Sequence, residues 1–158
     1  MTPIGAVEAS ALGQAMRQWL WLYPAVETAH IIGIGLLFGS IAVVDLRLLG
    51  LSRTISVRRL AAHVLPWTVA SFAIIVPSGI AMFSAHASEF IASPVFVLKM
   101  CLIMAAGTNV AIFHAGVFRG SAAWDVNVAP PAAARAAAAL SLLLWISVIA
   151  CGRLLAYF

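Results

Sequence analysis

Apolar residues in this chain neither alternate nor keep to one helical face; they fill four long stretches, about residues 24–49, 60–83, 94–118 and 132–157. Each reaches or exceeds the roughly 20 residues that a helix needs to cross the hydrocarbon of a bilayer. A helix satisfies its own backbone hydrogen bonds where water cannot, so it is the element such stretches predict. The fold class expected is all-α, an integral membrane protein built as a four-helix transmembrane bundle. Pro24 and Pro94 stand where a missing N–H does no harm, and Pro130 and Pro131 end the third connection before an alanine-rich fourth helix. Pro77 falls inside the second crossing and is expected to kink it, freeing a carbonyl for a neighbour to satisfy. Ahead of the first crossing, residues 9–22 mix Gln14, Arg17 and Gln18 with apolar positions and predict a short N-terminal interfacial helix. Gly33, Gly35, Gly39, Gly79 and Gly107 predict close helix packing, with room for a flat cofactor as the alternative.

Composition supports the membrane reading: 64% of residues are hydrophobic and 9% charged, and the mean hydropathy is +1.08. So few charges do not cover the surface of a water-soluble domain. With 158 residues the crossings and their connections use nearly the whole chain, so a single membrane domain over 1–158 is expected and any chemistry sits between helices or at their ends. The net charge of +4 does not point to nucleic acid, because the basic residues are dispersed and mark orientation. Arg47, Arg53, Arg58 and Arg59 surround the first connection and Arg119 and Arg135 flank the third, whereas residues 84–93 have no Lys or Arg. The positive-inside rule then places connections one and three in the cytoplasm and both termini outside. In a bacterial inner membrane, the location that the alanine-rich composition favours, outside is the periplasm. The aromatic groups Trp19, Trp21, Tyr23 and Tyr157, Phe158 mark the outer interface on this reading, and residues 1–18 do not have the pattern of a removable signal peptide.

Titratable rings in hydrocarbon are costly and normally serve a function. Counting about 1.5 Å per residue from each midpoint puts His30 about 10 Å to the outer side and His114 about 12 Å to the inner side, with His63 level with His114. Neutral imidazoles from two helices can ligate haem b. His63 and His114 are therefore the candidate axial pair of an inner haem, with Arg58, Arg59 and Arg119 as propionate partners. His30 is the candidate ligand of an outer haem, for which His86 lies roughly 10 Å too far outward unless the second helix continues or bends. Alternatives stay open: His63 as an interfacial residue, and His86 as an exposed loop residue. Glu27, Lys99 and Arg153 gather around His30 by depth, which predicts an ion pair between Glu27 and Arg153 beside a bound group or as a packing element. Asp45, Arg47 and Asn109 share the inner level, where Asp45 and Arg47 are expected to pair or Arg47 to snorkel. A rival copper site draws on His30, Cys101 and Cys151, with Met100 and Met104 nearby, although buried cysteines also serve as small apolar fillers. The chain has no C-x-x-C-H motif for covalent haem, and no nucleophile elbow, phosphate loop or H-E-x-x-H motif.

The run from Trp21 to His30, the segments Asp45-Leu46-Arg47-Leu48-Leu49-Gly50, Leu65-Pro66-Trp67 and Ser93-Pro94-Val95-Phe96-Val97-Leu98-Lys99, and the closing Gly152-Arg153-Leu154-Leu155-Ala156-Tyr157 span nearly the whole chain. This pattern resembles a family of uncharacterised bacterial four-helix inner-membrane proteins, which carries no established activity. More distantly it is similar to the membrane part of CopD-type copper resistance proteins and to small four-helix b-type cytochromes. Those resemblances imply copper in the one case and haem with quinone in the other. The function expected is membrane electron transfer on bis-histidine haem b, with a quinone or a membrane or periplasmic redox protein as partner. A copper or small-solute handling protein and a cofactor-free structural subunit are the alternatives. Contact with membrane lipid follows from the composition, and self-association is left open.

Overall fold

A computed structural model of the protein describes residues 2–157. The described residues form seven α-helices: α1 (Pro3–Glu8), α2 (Ala11–Gln18), α3 (Leu22–Leu48), α4 (Val57–Ala85), α5 (Ala87–Ala92), α6 (Pro94–Ala115) and α7 (Ala132–Leu154), with a 3-10 segment at Val117–Trp124. They contain no strand. Helices α3, α4, α6 and α7 are each long and apolar enough to cross a membrane. The protein is a multi-pass membrane protein with a four-helix bundle. Four crossings bring both ends of the chain to one side, here the terminal end; the opposite side is the loop end.

The third spanning helix stops at Ala115, three residues before the position expected, and gives way at Gly116 to the 3-10 segment. The N-terminal segment also differs from expectation, since residues 3–18 make two helices and not one. Ser10 causes the break: its Oγ donates to Val7 O at 2.6 Å and accepts from Gly13 N at 3.2 Å, so it ends α1 and caps α2. Helix α2 then docks on the end of α4. Met16 is buried beside Ala81 and Ala85. Arg17 donates to the Ala85 carbonyl at 2.8 Å and to the Glu8 carbonyl at 2.6 Å, satisfying acceptors that a helix end leaves open. A Cβ at Gly13 would lie 2.6 Å from the Ser84 carbonyl oxygen, so glycine is what permits this approach.

Within the bundle α3 packs along α4 and also against α7, and α7 packs along α6. Gly33 brings α3 and α4 close, for a Cβ there would meet Ile75 Cγ1 at 2.8 Å, and Ser40 and Thr68 join the two helices by a hydroxyl hydrogen bond of 2.8 Å. Among the described residues α4 and α6 make no close backbone approach. Their terminal ends are bridged by the stacked rings of Phe83, Phe90 and Phe96. Gly35, Gly39 and Gly107 face open space, so the close packing expected at these three positions does not occur. Helix α4 passes through both Pro66 and Pro77.

The loop end is closed by a buried apolar cluster containing Leu48, Val57, Phe113 and Trp124 and by a polar latch. Arg47, only 2% exposed, donates through Nε to Ile55 O at 2.7 Å and through Nη2 to Arg53 O at 3.2 Å and Asp125 O at 2.9 Å. Its charge sits in the last turn of α3, where the helix dipole favours a cation. Asp125 completes the latch from the third connection: its carboxylate accepts from Ser56 Oγ and from Arg58 N at 2.9 Å, at the start of α4. The backbone hydrogen bond from Arg58 holds the Asp125 carboxyl below its ordinary pKa, helped by the Ser56 hydroxyl and by the charges of Arg58 and Arg47. Arg47 thus neither pairs with Asp45 nor snorkels to the headgroups. Carbonyls of two loops outcompete both partners because they converge on a guanidinium whose planar fork can serve several acceptors at once.

Candidate functional site

His30 projects from α3 onto α4, where its Nδ1 and the Ser78 hydroxyl share a hydrogen bond of 2.8 Å. The Ser78 hydroxyl already donates to carbonyl oxygens of its own helix, at Ile74 and Ile75. A hydroxyl has one hydrogen; with it directed to Ile74 O, the ring donates Nδ1–H to Ser78 Oγ, and Nε2 of the neutral ring has no partner among the described residues. The ring lies over Gly79, where a Cβ would approach His30 Cε1 to 3.3 Å. Lys99 of α6 and Glu27 of α3 lie in the same half of the bundle, neither in hydrogen-bond contact with the ring. Lys99 in turn lies along α7, its Nζ 3.7 Å from where a Cβ of Gly152 would stand. All four spanning helices therefore contribute to this region of the terminal half: His30, Ser78 with Gly79, Lys99, and Gly152.

Arg153 does not join it. Its Nη2 donates to Tyr157 Oη at 2.6 Å, and its guanidinium covers the Tyr157 ring at 4.9 Å from the centroid. Glu27 is exposed, and the direct form of the expected Glu27–Arg153 ion pair does not occur: among the described residues the one basic side chain within 4 Å of a carboxylate is His86, its Nδ1 3.4 Å from Glu89 Oε2. The acceptor four residues on, just past the end of α7, is nearer to Arg153 than a carboxylate on another helix.

The other histidines are dispersed. His114 is half-buried, its Nδ1 hydrogen-bonded to Val110 O at 2.9 Å and its ring beside Phe113 and Phe118. A carbonyl only accepts, so Nδ1–H donates and Nε2 is free here too. His63 is exposed on α4, has no hydrogen-bond partner among the described residues, and no contact links it to His114. His86 is the residue joining α4 to α5 and packs edge-on against Tyr23 at 6.2 Å. It stands eight residues beyond Ser78 on α4, about 12 Å along the axis, and so does not face His30 across a shared group. Arg58, Arg59 and Arg119 are exposed at the loop end. Cys101 is exposed and Cys151 buried, both as free thiols. The three-ligand copper set of His30, Cys101 and Cys151 is not assembled, because among the described residues no three His, Cys, Asp or Glu side chains come together to hold a metal ion.

Ser78 is the residue of this region that the sequence reading leaves out. Its signal is the Pro77-Ser78-Gly79 interruption in an otherwise apolar span, a proline that opens the helix ladder followed by a hydroxyl and a missing side chain.

Residues 5–158 match a family of unknown function, DUF6644, and the chain belongs to that family. No curated protein and no solved structure matches the chain.

Proposed function

We propose that the chain is a haem b-binding electron-transfer protein of the bacterial inner membrane, with His30 as the principal axial ligand. The observation that carries this reading is the His30–Ser78 hydrogen bond, which fixes the ring and directs the free Nε2 lone pair away from its anchor. Histidines that ligate metals characteristically tie down their other nitrogen in this way. Gly79 lets the ring pack directly against α4, where a Cβ would meet Cε1 at 3.3 Å. Lys99 supplies a positive charge suited to a propionate, and it has no hydrogen-bond acceptor among the described residues. Haem b bound here supplies a one-electron couple, tuned by the ligand and the surrounding dielectric. On the loop side His114 offers a second free Nε2, and a membrane quinone or an outer redox protein is the partner this arrangement suits.

An absorption spectrum of the detergent-purified protein, before and after addition of hemin, tests the proposal. A Soret band with sharp reduced bands, in about one haem per chain or more, is the expected result. Copper without haem would favour metal handling, and neither would favour a structural subunit; each overturns the haem reading. The periplasmic placement of both termini is tested separately, since a reporter fused after Phe158 should read as periplasmic and one inserted near Ser56 as cytoplasmic.

A further inference from the structure

A second polar site lies in the loop half of the bundle, away from His30. Asp45 of α3 is only 6% exposed, and its Oδ2 has no hydrogen-bond partner. It lines a cavity of about 30 Å3 together with Asn109 of α6 and Ser141 of α7, the remaining walls being apolar. The Asn109 amide nitrogen donates to Ala137 O at 3.0 Å, which leaves its carbonyl oxygen as the free end of that side chain. A bare carboxylate in this position is costly, and it needs a compensating positive charge. Arg47, two residues along α3, is committed to the carbonyls of residues 53, 55 and 125. No other lining residue is titratable. On the helices packed around the cavity, His114 of α6 turns to Val110 O and Phe118, and Arg135 of α7 is exposed.

The volume of about 30 Å3 admits at least one water molecule, which needs roughly 10–15 Å3 and two to four polar partners. The three side chains provide partners of that number. A hard metal cation fits less well, because such ions take about six to eight oxygens and the remaining walls here are apolar. We infer that Asp45, Asn109 and Ser141 form an intramembrane proton site, in which one water molecule seated in the cavity shares a single exchangeable proton with the Asp45 carboxyl. Taking up the proton forms one O–H bond at Asp45 and breaks one at the water, which regains its proton from solvent; only O–H bonds change. This site is independent of haem and adds to the function proposed above.

Infrared spectra of the purified protein without added haem, in phosphatidylcholine vesicles, test the inference. At neutral pH a carboxylic acid C=O band is expected, moving to lower frequency in D2O and absent from Asp45→Asn. Ser141→Ala and Asn109→Leu should each keep the band and shift it, since both remove a partner of the water. No acid band at neutral pH, or the same band in Asp45→Asn, would overturn the inference. So would a carboxylate band that responds to exchanging Na+ for K+, which would show a bound cation. Should Asp45→Asn fail to insert, a band unmoved in both other variants would overturn it equally.

Discussion

Arg47→Ala should be the most destabilising single substitution at the loop end, lowering stability by about 3 kcal/mol in detergent unfolding. Three carbonyl oxygens, from residues 53, 55 and 125, lose a charged donor at once. Hydrogen bonds from a charged group contribute about 1.5–3 kcal/mol each, but they share one side chain and do not add in full. Part of the gain is already offset in the native protein, because Nη1 is buried without a partner. Arg47→Lys should recover only a fraction of the loss, since an ammonium has no planar fork to reach several acceptors together. If Arg47→Ala unfolds with the same midpoint as the unmodified protein, the latch does not hold the loops in solution.

Asp125 gives the same latch a pH signature. Its carboxyl titrates below the ordinary value of 3.8 in the folded protein, chiefly through the Arg58 backbone N–H. A depressed carboxyl stabilises the fold at pH values above the unfolded pKa, and the contribution disappears as the pH falls through the folded pKa. The loop end should therefore hold unchanged across neutral pH and loosen only below about pH 4. Hydrogen exchange of the Val57 and Arg58 amides, compared with Asp125→Asn, checks this; acid loosening that persists in Asp125→Asn would assign it to another group.

The four crossings are legible in the sequence because an apolar run of that length has one stable conformation in hydrocarbon, and local chemistry then fixes its ends. Counting residues from the midpoints also brings His30 and Lys99 to one half of the bundle, where Lys99 lies along α7 beside Gly152. Depth fixes height but not azimuth. Arg153 shares that half yet turns to Tyr157, and His63 shares the level of His114 yet stays exposed without touching it. The latch is illegible for a different reason: Arg47 bonds to main-chain carbonyls, one of them 78 residues away, and a carbonyl leaves no residue-type mark in the sequence. Glycine is ambiguous in the same way. Gly33 and Gly79 touch a neighbouring helix while Gly35 and Gly39 face open space, a distinction set by packing and not by residue type.

On the haem proposal, His30→Ala should abolish binding at the terminal-half site, and Ser78→Ala should weaken it by about 10–100-fold. The two variants act differently on the same ring. His30→Ala removes the imidazole that α3 brings to this region, whereas Ser78→Ala keeps the imidazole and removes the acceptor that fixes its tautomer and rotation. Ser78 is buried, and its hydroxyl also returns to the Ile74 and Ile75 carbonyls of its own helix. Ser78→Thr keeps the hydroxyl and serves as the conservative control, restoring most of the binding that Ser78→Ala loses. Each protein is titrated with hemin, and both the reduced absorption spectrum and the midpoint potential are recorded. A positioning role predicts a shifted potential in the haem that Ser78→Ala retains, which simple loss of packing would not produce. Full haem content in His30→Ala would move the ligand to another residue, and His114, the other ring with an anchored Nδ1 and a free Nε2, would be the next to substitute.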